Sequence, residues 1–167
     1  MVKTTHLDEL VDYPALIISQ LSRQQEVLDL LADKSGASVK DLMDQKGNWK
    51  CFFDYEYIPG TTQEVLTAVC IDTDVVAVRT SAVKTLELYI SVICSRALMP
   101  LDRAKFPGVR GNRVNNLLRY IDMALRQDRD FGIGKLELKN VRTTTAGNPS
   151  FAKKTMTYLI PDFNMVG

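Results

Sequence analysis

Residues 85–96 are TLELYISVICSR, and this segment limits the choice of fold more strongly than any other in the chain. Its even-numbered residues from Leu86 to Cys94 are all apolar, whereas Glu87 and Tyr89 stand between them. Side chains two positions apart lie on the same face of a β-strand. The pattern therefore predicts a strand with one face in the core and the other half solvated.

A long surface loop is expected after this strand. Residues 97–111 combine prolines and glycines, which interrupt regular structure, with basic side chains: Pro100, Pro107, Gly108, Gly111, Arg103, Lys105 and Arg110. Such a composition belongs on the surface, where the backbone can bond to water. The loop is also long enough to be functional.

One helix and a C-terminal hairpin are predicted downstream of the loop. Asn112 is a suitable N-cap for a helix over 112–127, whose apolar stripe consists of Val114, Leu117, Leu118, Ile121 and Leu125. Within 133–160, alternating segments predict two strands, joined by the small and polar segment 143–149. We expect a hairpin with a projecting tip and a last strand that ends at Pro161.

The N-terminal segment, 13–47, is predicted to be helical. Pro14 suits the first turn of a helix that continues at helical spacing to about Ala32. Ser38 and Asp41 match the capping box at the start of a short second helix, which Gly47 would stop.

The region 50–96 is predicted to hold the first three strands of the sheet. Aromatic residues from Lys50 to Ile58 indicate a strand, and a second strand is expected from Glu64 to Ile71. A short connection joins them, so an antiparallel hairpin is the simplest pairing. Asp72-Thr73-Asp74 is then expected to form a turn.

These elements predict an α+β fold in one domain over 1–167, with a mostly antiparallel sheet of about five strands and two main helices packed on one face. The 21 basic and 20 acidic side chains give a net charge of +1, too balanced for a protein built around binding a polyanion. The N-terminus lacks an apolar signal core, so export is not expected, and no apolar run reaches the ~18 residues that a membrane-spanning segment needs. Cys51, Cys70 and Cys94 lie in apolar runs and are expected to be reduced and buried.

The sequence does not predict an enzyme, and we assign no catalytic residue, cofactor or metal site. His6 is the only histidine, so a nucleophile has no natural base. The best enzymatic alternative is a metal-dependent nuclease built on Asp130, Glu137 and Lys139, although Glu137 and Lys139 suit the solvent side of a strand better. Asp72 and Asp74 could hold a divalent cation but suit a turn better.

Two nucleic-acid alternatives are also weak. Gly108-Val109-Arg110-Gly111 matches the G-x-x-G of KH domains, but in those domains the loop joins two helices. Trp49 and the aromatic segment after it could stack on bases, although packing within the sheet is the simpler role.

The succession of elements resembles that of the tail-terminator, or head-to-tail joining, proteins of long-tailed bacteriophages. These are small α/β proteins that cap a finished tail tube as a ring. The elements that carry the resemblance are the helix Pro14 to Ala32, the aromatic strand Phe52 to Ile58, the strand Leu86 to Cys94, the helix Asn112 to Gln127 and the hairpin ending in Met156-Thr157-Tyr158-Leu159-Ile160. The short helix at Ser38 and the loop 97–111 depart from the compact family pattern.

The resemblance implies a structural virion protein at the neck, assembled in the host cytoplasm as a homo-oligomeric ring, usually a hexamer. Its implied partners are the tail-tube protein and a head-connector or head-closure protein, with DNA passing through the lumen. Another head-tail connector or tail-completion protein is the alternative within this class. The expected interface residues are Arg103, Lys105, Arg110 and Arg113 near the loop and Thr144, Asn148, Lys153 and Lys154 in the hairpin, unless these are merely solvated surface groups.

Overall fold

A computed structural model describes residues 7–60, 65–80, 83–126 and 135–164 of the chain. The elements in chain order are α1 (Asp8–Leu21), α2 (Gln25–Ala32), β1 (Phe52–Phe53), β2 (Thr67–Thr80), β3 (Val83–Ser95), α3 (Arg113–Arg126), β4 (Glu137–Thr144) and β5 (Phe151–Asn164), with short 3₁₀ helices at Val39–Leu42 and Arg96–Leu98. Expectations that fell on His6, Thr62, Glu64, Gln127 and Asp130 to Gly134 lie outside the described residues.

The five strands form one mixed sheet in the order β1-β2-β3-β5-β4. The pairs β2–β3, β3–β5 and β4–β5 are antiparallel, and only β1 runs parallel to its neighbour β2. The predicted fold class, α+β with a mostly antiparallel sheet, is therefore confirmed.

The helices cover one face of this sheet, which we call the covered face. Leu86, Leu88 and Ile90 of β3 are fully buried there and belong to one cluster with Leu117 and Ile121 of α3. The alternation in residues 85–96 thus identified the covered face correctly. The opposite face, which we call the open face, carries the odd-numbered residues of β3 and only a small apolar cluster at one end.

The single helix predicted from Pro14 to Ala32 is wrong in two respects. First, it is two helices. The N–H groups of Arg23 and Gln24 donate to carbonyls only three residues back, which ends α1, and Gln24 is extended. Leu21 and Val27 are both buried, so the apolar spacing alone does not reveal the break.

Second, α1 begins at Asp8, so Pro14 is an interior residue of the helix and not part of its first turn. Proline lacks the N–H that would bond to the carbonyl four residues earlier. The acidic first turn, Asp8 and Glu9, is the sequence feature that indicates the true start.

The predicted aromatic hairpin is also wrong. Only Phe52 and Phe53 form a strand, and they run parallel to Val69 and Cys70 of β2. The aromatic rings pack with one another instead of across a hairpin: Phe53 stacks on Tyr57 with ring centroids 4.5 Å apart, and Tyr57 contacts the apolar cluster of the open face. The segment after β1 therefore lies against the open face.

Two strands are longer than predicted. β2 runs through Asp72-Thr73-Asp74, which is strand and not turn, because the alternation that begins at Cys70 continues, with both Asp side chains exposed and Thr73 buried. β5 continues past Pro161 to Asn164. Its partner there is β3, to which Lys84 and Phe163 belong as a register pair.

Three further local predictions are confirmed, whereas the expected stop of the short second helix at Gly47 is wrong, because that helix ends at Leu42. Asn112 caps α3, because its Oδ1 accepts the N–H of Asn115 at 2.8 Å. Ser38 and Asp41 form the predicted capping box, although the element that follows is a 3₁₀ helix. β4 and β5 form the C-terminal hairpin.

Candidate interaction surfaces

The basic loop and the tip of the C-terminal hairpin lie at the same end of the sheet. β3 ends at Ser95, whose register partner is Phe151, the first residue of β5. The next residue, Arg96, donates its backbone N–H to the Ser150 carbonyl at 2.9 Å and its Nε to the Pro149 carbonyl at 2.8 Å. We call this shared surface, residues 96–111 and 143–150, the loop–hairpin end.

Backbone hydrogen bonds and one buried ring shape the loop. Asp102 accepts two N–H groups, that of Ala104 on its side chain at 2.8 Å and that of Phe106 on its carbonyl at 2.9 Å. The Phe106 ring is buried, while Gly108 and Gly111 have φ of +77° and +86°, a region that side chains other than glycine rarely adopt. This arrangement leaves Arg103, Lys105 and Arg110 exposed.

Lys105 is nevertheless held by an ion pair with α2. Its Nζ lies 3.0 Å from Oδ2 of Asp33, and both side chains are partly exposed. Burial raises the pKa of Asp33, but the hydrogen bonds from Lys105 and Arg113 outweigh it and hold that pKa below its usual value. Lys105 therefore contributes to the fold as well as to the surface.

Arg113 is not on the surface, which corrects its assignment as an interface residue. Its side chain is 1% exposed. Nε donates to the Leu98 carbonyl at 2.7 Å, Nη1 to the Leu30 carbonyl at 2.6 Å and Nη2 to Oδ1 of Asp33 at 2.6 Å. The guanidinium also lies 5.4 Å from the centre of the Phe106 ring. All three nitrogens are thus used to join α2, the loop and α3 inside the protein.

Arg110 borders two open grooves beside the loop. One, of about 680 Å³, runs from Pro107 to Arg119 and Tyr120 of α3, and the other, of about 530 Å³, is lined by Pro100 and Arg103. Arg119 is exposed and stacks on the Tyr120 ring at 4.9 Å. Arg103 and Arg110 of the loop and Arg119 in the middle of α3 therefore expose their guanidinium groups on this side.

The hairpin tip forms a third groove, of about 430 Å³, with Met99 and Val114. Thr144 is exposed there, and Asn148 is half buried, with its Oδ1 accepting the N–H of Ser150 at 3.0 Å. Lys154 donates to Oδ1 of Asn115 at 2.7 Å. Thr144, Asn148 and Lys154 all line this groove and stay candidates for contact with a partner.

Lys153 is a second correction to the predicted interface set. Its side chain is 7% exposed, on the open face, and its Nζ lies 2.6 Å from Oε1 of Glu56. The segment that carries Glu56 also touches the hairpin, since a Cβ on Gly147 would lie 3.0 Å from Cγ2 of Ile58. Lys153 is therefore enclosed by its own chain, whereas Glu56 remains exposed.

The open face is the half-solvated side that the alternation in residues 85–96 predicted, but the sequence analysis did not name it as a candidate surface. Asp72 and Asp74 of β2 are exposed on it, and Tyr89 donates its hydroxyl to Glu87. Lys139 Nζ lies 2.7 Å from Oε1 of Glu87, and hydrogen bonds from Lys139 and then Tyr89 lower the pKa of Glu87. The period-2 alternation of Cys70, Asp72 and Asp74 is the pattern that could have revealed this face.

The described residues do not form the metal site that the enzymatic alternatives require. Among them, no group of three His, Cys, Asp or Glu side chains is placed to hold a metal ion. Glu137 is exposed on β4, and Lys139 is engaged with Glu87. In the same part of the chain no helix is long and apolar enough to cross a membrane.

The cysteine thiols are also poorly suited to act as nucleophiles, because they are buried and stay protonated. Cys51, Cys70 and Cys94 are free and buried, as the sequence predicted. Burial raises the pKa of the Cys51 thiol to about 12, and it also raises the pKa of Cys70 and Cys94. Trp49 packs edge-on against Phe52 with ring centroids 5.1 Å apart, which fits packing and not base stacking.

Comparisons with known proteins identify a family and a similar solved structure. A family model described as YomW matches residues 24–160. A chain described as belonging to the virion of a native gene transfer agent (GTA) particle aligns with a TM-score of 0.51 over 95% of this chain and 98% of that chain, at 13% identity. At this identity the likeness establishes the fold alone. A search of curated proteins finds no match.

Proposed function

We propose, starting from the fact that this chain belongs to the YomW family, that it is a structural protein of a tailed virion and not an enzyme. The family is phage-associated. The observation that carries the proposal is the similarity over nearly the full length of both chains to a component of a GTA virion. A match of this extent means that the two chains correspond as whole folds and not through a shared piece.

Within the virion, we place the protein at the neck, as a tail terminator. In this role it forms a homo-oligomeric ring, a hexamer in our proposal, that caps the tail tube and faces a head-connector or head-closure protein. The genome would pass through the lumen of this ring. Assembly would take place in the host cytoplasm, before the ring joins the tail. Three of the five elements that carry the resemblance, β3, α3 and the C-terminal hairpin, are present and support this proposal, with another connector or tail-completion protein as the alternative.

The loop–hairpin end is our candidate for docking onto a stacked neighbour. It exposes Arg103 and Arg110 on one side, next to Arg119 of α3, and Thr144 on the other, in the groove that Lys154 of β5 also lines. Arginine is enriched at protein interfaces because its planar group combines several donors with an apolar stacking face. Because both predicted patches lie at the same end, one contact surface can use them together.

The position at the neck is tested by reconstructing particles that contain this chain. We expect a ring of this protein between the end of the tail tube and the head connector. A reconstruction that places the chain in the head shell, the tube wall or the tail tip would overturn the neck assignment, and its absence from purified particles would overturn the virion role.

The docking surface is tested by reversing two charges, Arg103→Glu with Arg110→Glu, in virions assembled with the variant. We expect at least a tenfold loss of finished particles, since like charges placed across an interface are strongly unfavourable. The matched control reverses one exposed arginine on the turn between α1 and α2, Arg23→Glu, and should assemble normally. Normal particle yield from the double variant would remove the loop from the interface.

A further inference from the structure

The two edges of the sheet, and not its loop–hairpin end, are suited to contacts between neighbours within a ring. Repeating subunits in a ring meet through two different patches on opposite sides of each copy. The basic loop and the hairpin share one end of the sheet and cannot supply such a pair. This inference rests on the ring of the proposed function and specifies how its copies meet.

The first edge is the second half of β2. β1 pairs only with Val69 and Cys70, so in the described part of the chain β2 has no outer partner from Ile71 to Thr80. Val76 and Val78 are 48% and 60% exposed on this segment. Unpaired strands with exposed apolar residues are templates for another strand.

The second edge is β4, at the opposite side of the sheet. It pairs with β5 and has no other strand partner among the described residues. Val141 is 46% exposed, and its neighbour Arg142 is exposed on the open face, in register with Thr155. An eight-residue strand, Glu137–Thr144, is thus available to pair with a second sheet.

We propose that β4 of one copy pairs with the free half of β2 of the next copy and so continues the sheet around the ring. β2 and β5 run in the same direction, and β4 runs opposite to both. Copies related by rotation about an axis roughly along the strands keep these directions, so the new pair is antiparallel. Pairing of this kind is a common mode of β-strand addition.

β1 determines the register of this pairing. Within one sheet, the register across β4, β5, β3 and β2 aligns Arg142 with Cys70 and Thr144 with Ala68. If neighbouring sheets met without a shift along the strand direction, these same residues would lie opposite each other between copies. β1 already occupies Val69 and Cys70. The incoming strand must therefore move along β2 to Ile71 or beyond.

Only shifts of an even number of residues keep open-face side chains on the open face. The first such register clear of β1 places Thr144 opposite Asp72 and Arg142 opposite Asp74. On the covered side it places Val141 opposite Val75. A stagger of this kind is also what tilts strands when a sheet closes on itself.

The chemistry of the paired residues favours a second copy over a foreign strand. Exposed Arg142 meets exposed Asp74 on the open face, and the half-exposed Val141 meets Val75 at the rim of the core. Opposite charges and apolar pairs directly across two strands each stabilise a sheet. One chain thus carries both complementary halves of the contact.

A charge exchange tests the pairing in the purified protein, with assembly followed by light scattering across a concentration series. Arg142→Asp and Asp74→Arg should each weaken association about tenfold or more, and the double variant should recover to within about threefold of the wild type. Arg23→Asp changes an exposed arginine on the turn between α1 and α2, outside both edge strands; it is the control and should associate normally. Failure of the double variant to recover would overturn the Arg142–Asp74 contact.

Cross-linking tests the register directly. With Arg142→Cys and Asp74→Cys in one chain, oxidation should yield a ladder of linked copies, because opposed residues lie within disulfide range. Arg142→Cys with Val78→Cys is the off-register control and should give none. Equal ladders from both variants, or from neither while the wild type forms rings, would overturn edge pairing and leave the proposed function standing. A wild type that stays monomeric at every concentration in solution and forms no ring in purified particles would overturn both the edge pairing and the proposed ring.

Discussion

The two faces of the sheet are built from the same strands but differ in how completely the rest of the chain buries their side chains and pairs their charged groups. On the covered face Arg113 is buried with three acceptors, and fully buried residues such as Ile90 fill the space between sheet and helices. On the open face the buried Lys153 has an ion-pair partner, Glu56, that is itself 63% exposed. Stability is therefore concentrated on the covered face, while charged groups of the open face stay accessible to solvent.

Truncating the covered face should produce the largest loss of stability. Ile90→Ala removes a fully buried side chain between β3 and the helices, and we expect a cost of about 4 kcal/mol in the free energy of unfolding. The measurement is urea denaturation followed by circular dichroism, with constant protein concentration because association also contributes.

The matched change on the open face is Thr155→Ala. It removes the hydroxyl that lies 2.8 Å from Oγ of Ser91, a loss of about 1 kcal/mol. Equal losses from Ile90→Ala and Thr155→Ala would contradict the assignment of the core to the covered face.

The two buried cations provide the second comparison. Arg113→Met leaves two carbonyls without their donor and Asp33 with only Lys105, so we expect a loss of about 3 kcal/mol. Lys153→Met leaves only Glu56, which water can solvate, and should cost about 1 kcal/mol or less. The ratio of the two losses, measured by the same denaturation, is the result to compare. A larger loss at Lys153 would mean that the open face is as tightly integrated as the covered one.

Much of the fold followed from local patterns in the sequence. The strand at 85–96, the cap at Asn112 and the C-terminal hairpin depend on alternation, helix capping and turn composition, which act over a few residues. The break between α1 and α2 comes from a local change in hydrogen bonding at Arg23 and Gln24, and the parallel pairing of β1 depends on contact with the more distant β2. A periodic pattern cannot show them, because both alternatives bury the same side chains.

The sequence predicted the candidate surfaces less well than the fold. Arg110 and Arg113 are three residues apart in a basic segment, yet one is exposed and the other is buried. The difference comes from Leu30 and Asp33, which lie about 80 positions earlier in the chain and meet Arg113 only in the folded protein. Lys153 was misassigned for the same reason, since its partner Glu56 lies 97 positions away.

The last prediction concerns the effect of acid on stability, and it isolates the charge on Asp33. The folded pKa of this carboxyl lies below its usual value of 3.8, so its ion pairs stabilise the protein above that pH and cease to do so as the pH falls through the folded pKa.

Asp33→Asn should therefore cost about 1 to 2 kcal/mol at pH 7 and progressively less below pH ~4. Urea titrations at a series of pH values measure this difference. Repeating the series in the Arg113→Met background should flatten it, because one of the two cations that lower the pKa is then missing. A cost of Asp33→Asn that stays constant down to low pH would show that the amide disturbs packing at the α2 end, and that the covered face does not depend on this charge.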